Sequence, residues 1–212
     1  MLDVAAAHLT VPTDDHRRRL HVWAESGDVG LIDALKSKAY GEFEGKLSEV
    51  QRICFLNGNI VVKAPAEGYI VRPLGDLDEH EARSLVSLRA FHPNDPPEEH
   101  RYNGWYSNIQ RAPLYRRDLD LVAVAPTGEL ASFCTIWFDD LTRTGLFEPV
   151  GTAPEHQRRG LGKALLSEGM GRLHRLGAVA AFVGSYTQAA HALYASVGFE
   201  EYRVQVPWVK YV

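Results

Sequence analysis

The stretch from Gly145 to Leu176 constrains the fold of this chain more than any other. Gly145–Thr152 reads as a strand and is followed by a loop that ends at Gly160 and Gly162. Leu161–Leu176 then carries Leu166, Met170 and Leu173 at the i, i+4, i+7 spacing of one helical face. Gly177 falls where a helix commonly ends in a left-handed residue, and Ala178–Val183 is an apolar run of strand length. Elsewhere, Tyr69–Arg72, Leu121–Ala125, Leu130–Phe138 and Val204–Val209 read as strands, and Glu79–Phe91, Tyr102–Gln110 and Gln188–Val197 as helices. This order predicts a mixed α/β fold, a central mixed sheet flanked by helices.

Composition removes several function classes. With 212 residues, 45% hydrophobic and 24% charged, the chain is an ordinary globular one. Its 23 Lys and Arg against 27 Asp and Glu give a net charge of −4, which does not suit unspecific nucleic-acid binding. No apolar run approaches the ~20 residues that span a bilayer, and Met1–Val4 lacks a basic, apolar leader, so no membrane association is expected. Cys54 and Cys134 are too few for a disulfide framework, which favours a cytoplasmic location. The nine histidines show no metal-ligand spacing, so no metal is expected.

Ala64–Gly68 is the best linker by composition and divides the chain into 1–66 and 67–212. At an offset of 159 positions, Leu20–Phe43 aligns with Val179–Tyr202 without a gap, with strand, loop, helix and strand in the same apolar spacing. Two amphipathic βαβ pieces could match in this way by chance, or the segment 1–66 is a truncated second copy of part of the fold, and the second is the expectation here. It lacks a glycine loop and has Leu35 opposite Tyr194, so it is assigned no chemistry. Ile32, Leu35, Ile53 and Phe55 are its candidate buried face, and the incomplete sheet would leave an edge through which a homodimer could form.

The chemistry concentrates between Phe147 and Lys163. Glycines at the mouth of a helix let a ligand approach the backbone, and the free N–H groups there carry about half a positive charge. With Arg158 and Arg159 alongside, the loop suits a phosphate or pyrophosphate. The P-loop template fails for want of Gly-Lys-Ser/Thr, and the dinucleotide fingerprint fails for want of a third glycine. Pro149 sits inside a strand that should be central, where it would break the ladder, and a β-bulge is the expected resolution.

Gln157-Arg158-Arg159-Gly160-Leu161-Gly162 resembles the Gln/Arg-x-x-Gly-x-Gly/Ala signature of the GNAT superfamily of acyl-CoA-dependent N-acyltransferases. A second signature lies downstream, a helix ending in Ala190, Leu193 and Tyr194 before Gly198-Phe199. The resemblance runs from about Tyr69 to the C-terminus, and the chain as a whole looks like members with an incomplete N-terminal copy. It implies acetyl-CoA as cosubstrate and a small-molecule primary amine as acceptor. The cofactor surface it implies is Val150, Gly151, Thr152, Gln157, Arg158, Arg159, Gly160, Leu161, Gly162, Lys163 and Thr187, the last standing where the family often has Asn. The Val150 N–H would face the thioester oxygen, and Tyr194 would protonate the departing thiolate. Glu148 is the carboxylate placed to take the proton of the attacking amine. Tyr102, Trp105, Tyr106 and Tyr115 fall where the family forms its acceptor pocket, and they could equally pack their helix onto the sheet. The competing class is a non-catalytic acyl-CoA sensor or scaffold.

Overall fold

In a computed structural model, which describes residues 2–14, 16–96 and 104–212, the chain runs α1 (Leu2–His8), β1 (Val11–Pro12), β2 (Arg18–Glu25), α2 (Val29–Ser37), β3 (Gly41–Glu42) and β4 (Glu49–Phe55). It continues through β5 (Ile70–Pro73), α3 (His80–Phe91), α4 (Tyr106–Gln110), β6 (Asp120–Val124), β7 (Leu130–Asp139) and β8 (Thr144–Thr152). α5 (Leu161–Arg175), β9 (Ala180–Ser185), α6 (Gln188–Ala195) and β10 (Glu200–Tyr211) complete it. The strands and helices expected downstream of residue 69 are present. β10 is longer than Val204–Val209, and the part of the expected helix before residue 104 that includes Tyr102 lies outside the described residues.

The chain divides into two compact units, one of Met1–Arg52, Gly184–Gln188 and Glu201–Val212, the other of Ile53–Val183 and Ala189–Glu200. In the first, β2 lies between β1 and β10, and β3 also pairs with β10. Leu20, Ala24, Leu35, Tyr40 and Trp208 form its core, with Leu2, Ala5 and Ala6 of α1 packed against them. Asp28 starts α2 by accepting the Leu31 N–H at 2.9 Å, an N-cap. Leu35 is buried as expected, whereas Phe55, expected on the same buried face, is 64% exposed. Phe55 belongs to the second unit, where Cys54 and Leu56 on either side of it pack into the core, so the alternation of the chain turns Phe55 outward.

In the second unit β5, β6, β7 and β8 form an antiparallel series and β9 joins β8 in parallel. A parallel neighbour requires a crossover, and α5 supplies it. One face of the sheet is covered by α5, whose Leu161, Leu165, Leu166, Met170 and Leu173 meet Ile136, Phe147 and Val183. The other face meets α3 and α4, where Val86 and Tyr106 pack on Val122, Leu130 and Phe133. With helices on both faces, the middle strand β7 is buried over almost its whole length, which is why Leu130–Phe138 shows little alternation in sequence.

Candidate active site

The irregularity of β8 sets the geometry. Cys134 pairs with Val150 and Ile136 with Phe147, so Glu148 and Pro149 together face the single residue Thr135. This is the bulge expected from Pro149, which has no N–H to give to the ladder. The Trp137 indole donates to the Glu148 carbonyl at 2.7 Å and holds the bulge from the neighbouring strand. On the opposite side, β8 pairs with β9 only from Thr144 to Leu146. Past Leu146 the two strands have no registered pair among the described residues, so they part where the bulge begins. Glu148 is exposed there, Val150 packs against the α5-side core, and Gly151 and Thr152 pair with Phe133 and Ser132 at the strand end.

From Thr152 the chain makes a 3₁₀ turn, Pro154–His156, and then the loop Gln157–Gly160. Arg158 and Gly160 both lie in the left-handed region, with φ of 63° and 72°. For Arg158 this costs about 1–2 kcal/mol, and the surrounding structure must hold it. Gly160 is the N-cap of α5 and brings no side chain, so no capping group satisfies the first N–H groups of the helix. A Cβ there would meet nothing within 4 Å, so only the backbone angle calls for glycine. Gln157, Arg158, Arg159 and Lys163 are exposed around these N–H groups. An anion is the chemical complement of such a surface.

Two residues of the signature serve the interior as well. Leu161 is 1% exposed and belongs to the core. A Cβ on Gly162 would come within 3.0 Å of Leu193 Cδ2, so this glycine admits the close approach of α5 to α6, a role the sequence reading did not assign to it.

Tyr194 is buried, with its ring edge-on to Phe199 at 6.1 Å. Its hydroxyl makes no hydrogen bond to a described residue. Burial, and after it the charges of Cys134 and Glu148, push the phenol well above its ordinary range. Tyr194 is therefore neutral and a hydrogen-bond donor at any physiological pH. Cys134 is wholly buried and its thiol is pushed far up, which makes it a core residue and no nucleophile. Thr187 stands immediately ahead of α6.

Of the four aromatic residues named for the acceptor pocket, the three described ones, Trp105, Tyr106 and Tyr115, make hydrogen bonds. Trp105 donates to Ser84 Oγ at 3.1 Å, Tyr106 donates to Asp120, and Tyr115 donates to Asp120 Oδ2 at 2.9 Å. Tyr106 is 1% exposed and Asp120 is fully buried. These contacts fasten α4 to the sheet, so of the two uses open to them, packing is the one their geometry displays.

A group of side chains behind the loop was not read from the sequence. Tyr69 OH lies 2.9 Å from His156 Nδ1, and His156 Nε2 lies 2.6 Å from Glu129 Oε1. Arg89 of α3 pairs with Glu155 and, at 3.9 Å, with Glu129. Glu129, Glu155 and His156 place their ligand atoms within 4.8 Å of one another, a spacing a metal could use. The Arg89 guanidinium already balances both carboxylates, and the His156 ring is occupied on both sides. No signal in the sequence joins these residues, because four separate segments supply them.

Comparison with known proteins places this architecture. The family model described as the Acetyltransferase (GNAT) family matches residues 81–199, more than half of the chain. The structure of a GCN5-related N-acetyltransferase from Sphaerobacter thermophilus is similar at TM-score 0.74 and 17% identity, over 92% of this chain and 60% of that one. A tandem GNAT protein from the clavulanic acid biosynthesis pathway gives 0.74 and 17%, over 99% and 66%. A GCN5-related N-acetyltransferase from Kribbella flavida gives 0.66 and 16%, over 99% and 72%. At such identities the likeness is one of fold, and the chain spans less than two thirds of the first two proteins. No curated protein matches the sequence.

Proposed function

The chain belongs to the GNAT acetyltransferase family, and we propose that it transfers an acetyl group from acetyl-CoA to a primary amine of a small-molecule acceptor. The observation that carries this reading is the parting of β8 from β9 past Leu146, on the strand whose far end leads through the Pro154–His156 turn into a loop with left-handed Arg158 and Gly160 that opens α5 with uncapped N–H groups. An extended acyl-pantetheine arm with a pyrophosphate at one end has the shape and charge for such a cleft. In this reading Val150, Gly151 and Thr152 face the arm, while Gln157, Arg158, Arg159, Gly160, Leu161, Gly162 and Lys163 surround the pyrophosphate.

The amine attacks as the free base, so its ammonium first gives up a proton. Glu148, exposed on the bulge, accepts it directly or through water. The nitrogen lone pair then adds to the thioester carbon, the carbonyl oxygen gathers charge facing the Val150 N–H, and the C–S bond breaks to release the thiolate. Glu148, exposed to water, passes the first proton to solvent, and the nitrogen then sheds its second proton to the regenerated carboxylate. Tyr194 faces the leaving sulfur. A thiol has a pKa of about 8.5 and the buried phenol lies above 10, so full transfer is uphill. Tyr194 therefore stabilises the thiolate mainly as a hydrogen-bond donor.

Under the offset of 159, β2, α2 and β3 fall on β9, α6 and the start of β10, which supports reading 1–66 as a truncated, non-catalytic copy and 67–212 as the working domain. A cytoplasmic enzyme without a metal, able to form a homodimer, fits the same reading. Among the described residues no helix is long and apolar enough to cross a membrane.

The test is release of CoA from acetyl-CoA across a panel of amines. Acceptor-dependent release is expected. Tight binding of acetyl-CoA with no release for any amine would make the protein an acyl-CoA sensor instead.

A further inference from the structure

His156 stands next to the loop Gln157–Gly160 and is only 8% exposed. Both ring nitrogens are engaged, Nδ1 with Tyr69 OH at 2.9 Å and Nε2 with Glu129 Oε1 at 2.6 Å. An ionised carboxylate can only accept, so Nε2 carries the hydrogen and donates to Glu129. In the neutral ring Nδ1 then holds the lone pair and accepts the Tyr69 O–H. The two partners fix the tautomer and the ring plane together.

Tyr69 precedes β5, Glu129 precedes β7, and His156 follows β8, so the ring ties three strand ends to the start of the loop. Arg89 of α3 adds a fourth element through Glu155 and Glu129. The far end of the loop is tied to the same place. Arg159 O accepts the Ala66 N–H at 3.1 Å, and the Arg159 guanidinium lies 6.0 Å over the Tyr69 ring. The strained Arg158 sits between these two anchors.

We propose that His156 is a positioning residue that, with Tyr69 and Glu129, holds the Gln157–Gly160 loop in its phosphate-binding shape. It adjoins the loop and is none of the residues placed at the thioester, so its effect falls on the phosphate end of the cofactor and not on the acyl end. This rests on the reading above that the loop takes the pyrophosphate of CoA.

His156→Phe keeps a ring of similar size and removes both hydrogen bonds, and Tyr69→Phe removes one hydroxyl. CoA affinity is measured by titration calorimetry, and kinetics are followed with acetyl-CoA and with S-acetylpantetheine, which has no phosphate. For His156→Phe, Kd for CoA and KM for acetyl-CoA are expected to rise about tenfold, with kcat and the S-acetylpantetheine parameters within twofold of wild type. Tyr69→Phe should shift the same quantities in the same direction by a smaller factor, and it serves where His156→Phe does not fold. Unchanged CoA affinity in the folded variants overturns the proposal, as does an equal loss with both acyl donors, the pattern of a merely structural residue. Failure of the wild-type protein to bind CoA would instead remove the reading of the loop itself.

Discussion

The Tyr106 hydroxyl donates to both carboxylate oxygens of Asp120, at 3.1 and 3.0 Å, inside the unit that carries the cleft. Asp120 also accepts from Thr135 Oγ1 at 3.1 Å, so the first residue of β6 holds α4 through one phenol and β7 through one hydroxyl. Burial pushes the Tyr106 phenol up to about 12 from a reference of 10.0.

That shift gives a pH dependence. The folded state keeps the Tyr106 proton where the unfolded chain has lost it, so its stabilisation is complete below pH 10 and declines as pH rises towards 12. Two pH units of such linkage amount to about 3 kcal/mol. Denaturant unfolding measured from pH 8 to 12 should show a steep alkaline loss of stability. Tyr106→Phe should make that loss shallower while lowering stability at pH 8 by about 1–3 kcal/mol, because the buried Asp120 loses a donor.

Tyr194→Phe keeps the ring in its contact with Phe199 and removes only the hydroxyl. Because the phenol cannot fully protonate the thiolate, kcat should fall about tenfold, below the 10²–10⁴ that a full general acid provides. CoA affinity should stay within twofold by calorimetry. A rate equal to wild type would leave Tyr194 with a packing role only.

Glu148→Gln should act on the other partner. It removes the group that accepts the amine proton, so kcat/KM should drop by ~10²-fold and lose its acidic limb. The readout is the pH profile measured with the best amine found. A profile that keeps its acidic limb would assign the base to another group.

Gly160→Ala probes the loop with little steric confusion, because the added methyl meets open space and only the φ of 72° resists it. Stability should fall by about 1 kcal/mol and CoA affinity several-fold, and Gly160→Asn should be milder because Asn tolerates the left-handed region. Gly162→Val behaves differently. Its branches drive into Leu193, so the melting temperature should drop by the equivalent of about 1–3 kcal/mol whether or not CoA is present.

Much of this was legible in the sequence wherever the signal is local. The periodicity from Leu161 onward marks α5 to within a residue, and Pro149 in an otherwise regular strand marks the bulge. The polar Glu200-Glu201-Tyr202-Arg203 start of β10 carries no apolar alternation and so hides the true length of that strand. Side-chain networks were out of reach for another reason. Glu129 and His156 are joined by the register of β7 against β8, and Tyr106 meets Asp120 because α4 folds back onto β6. Neither relation follows from composition or spacing near the residues concerned.

The contact between Gly162 and Leu193 bears on what a Gly-x-Gly pattern can certify. Its second glycine is called for by two helices pressed together, a demand that persists whether or not anything binds at the mouth of α5. A descendant of this fold that had abandoned its ligand could therefore go on displaying half of the signature, so the pattern vouches for architecture before it vouches for chemistry.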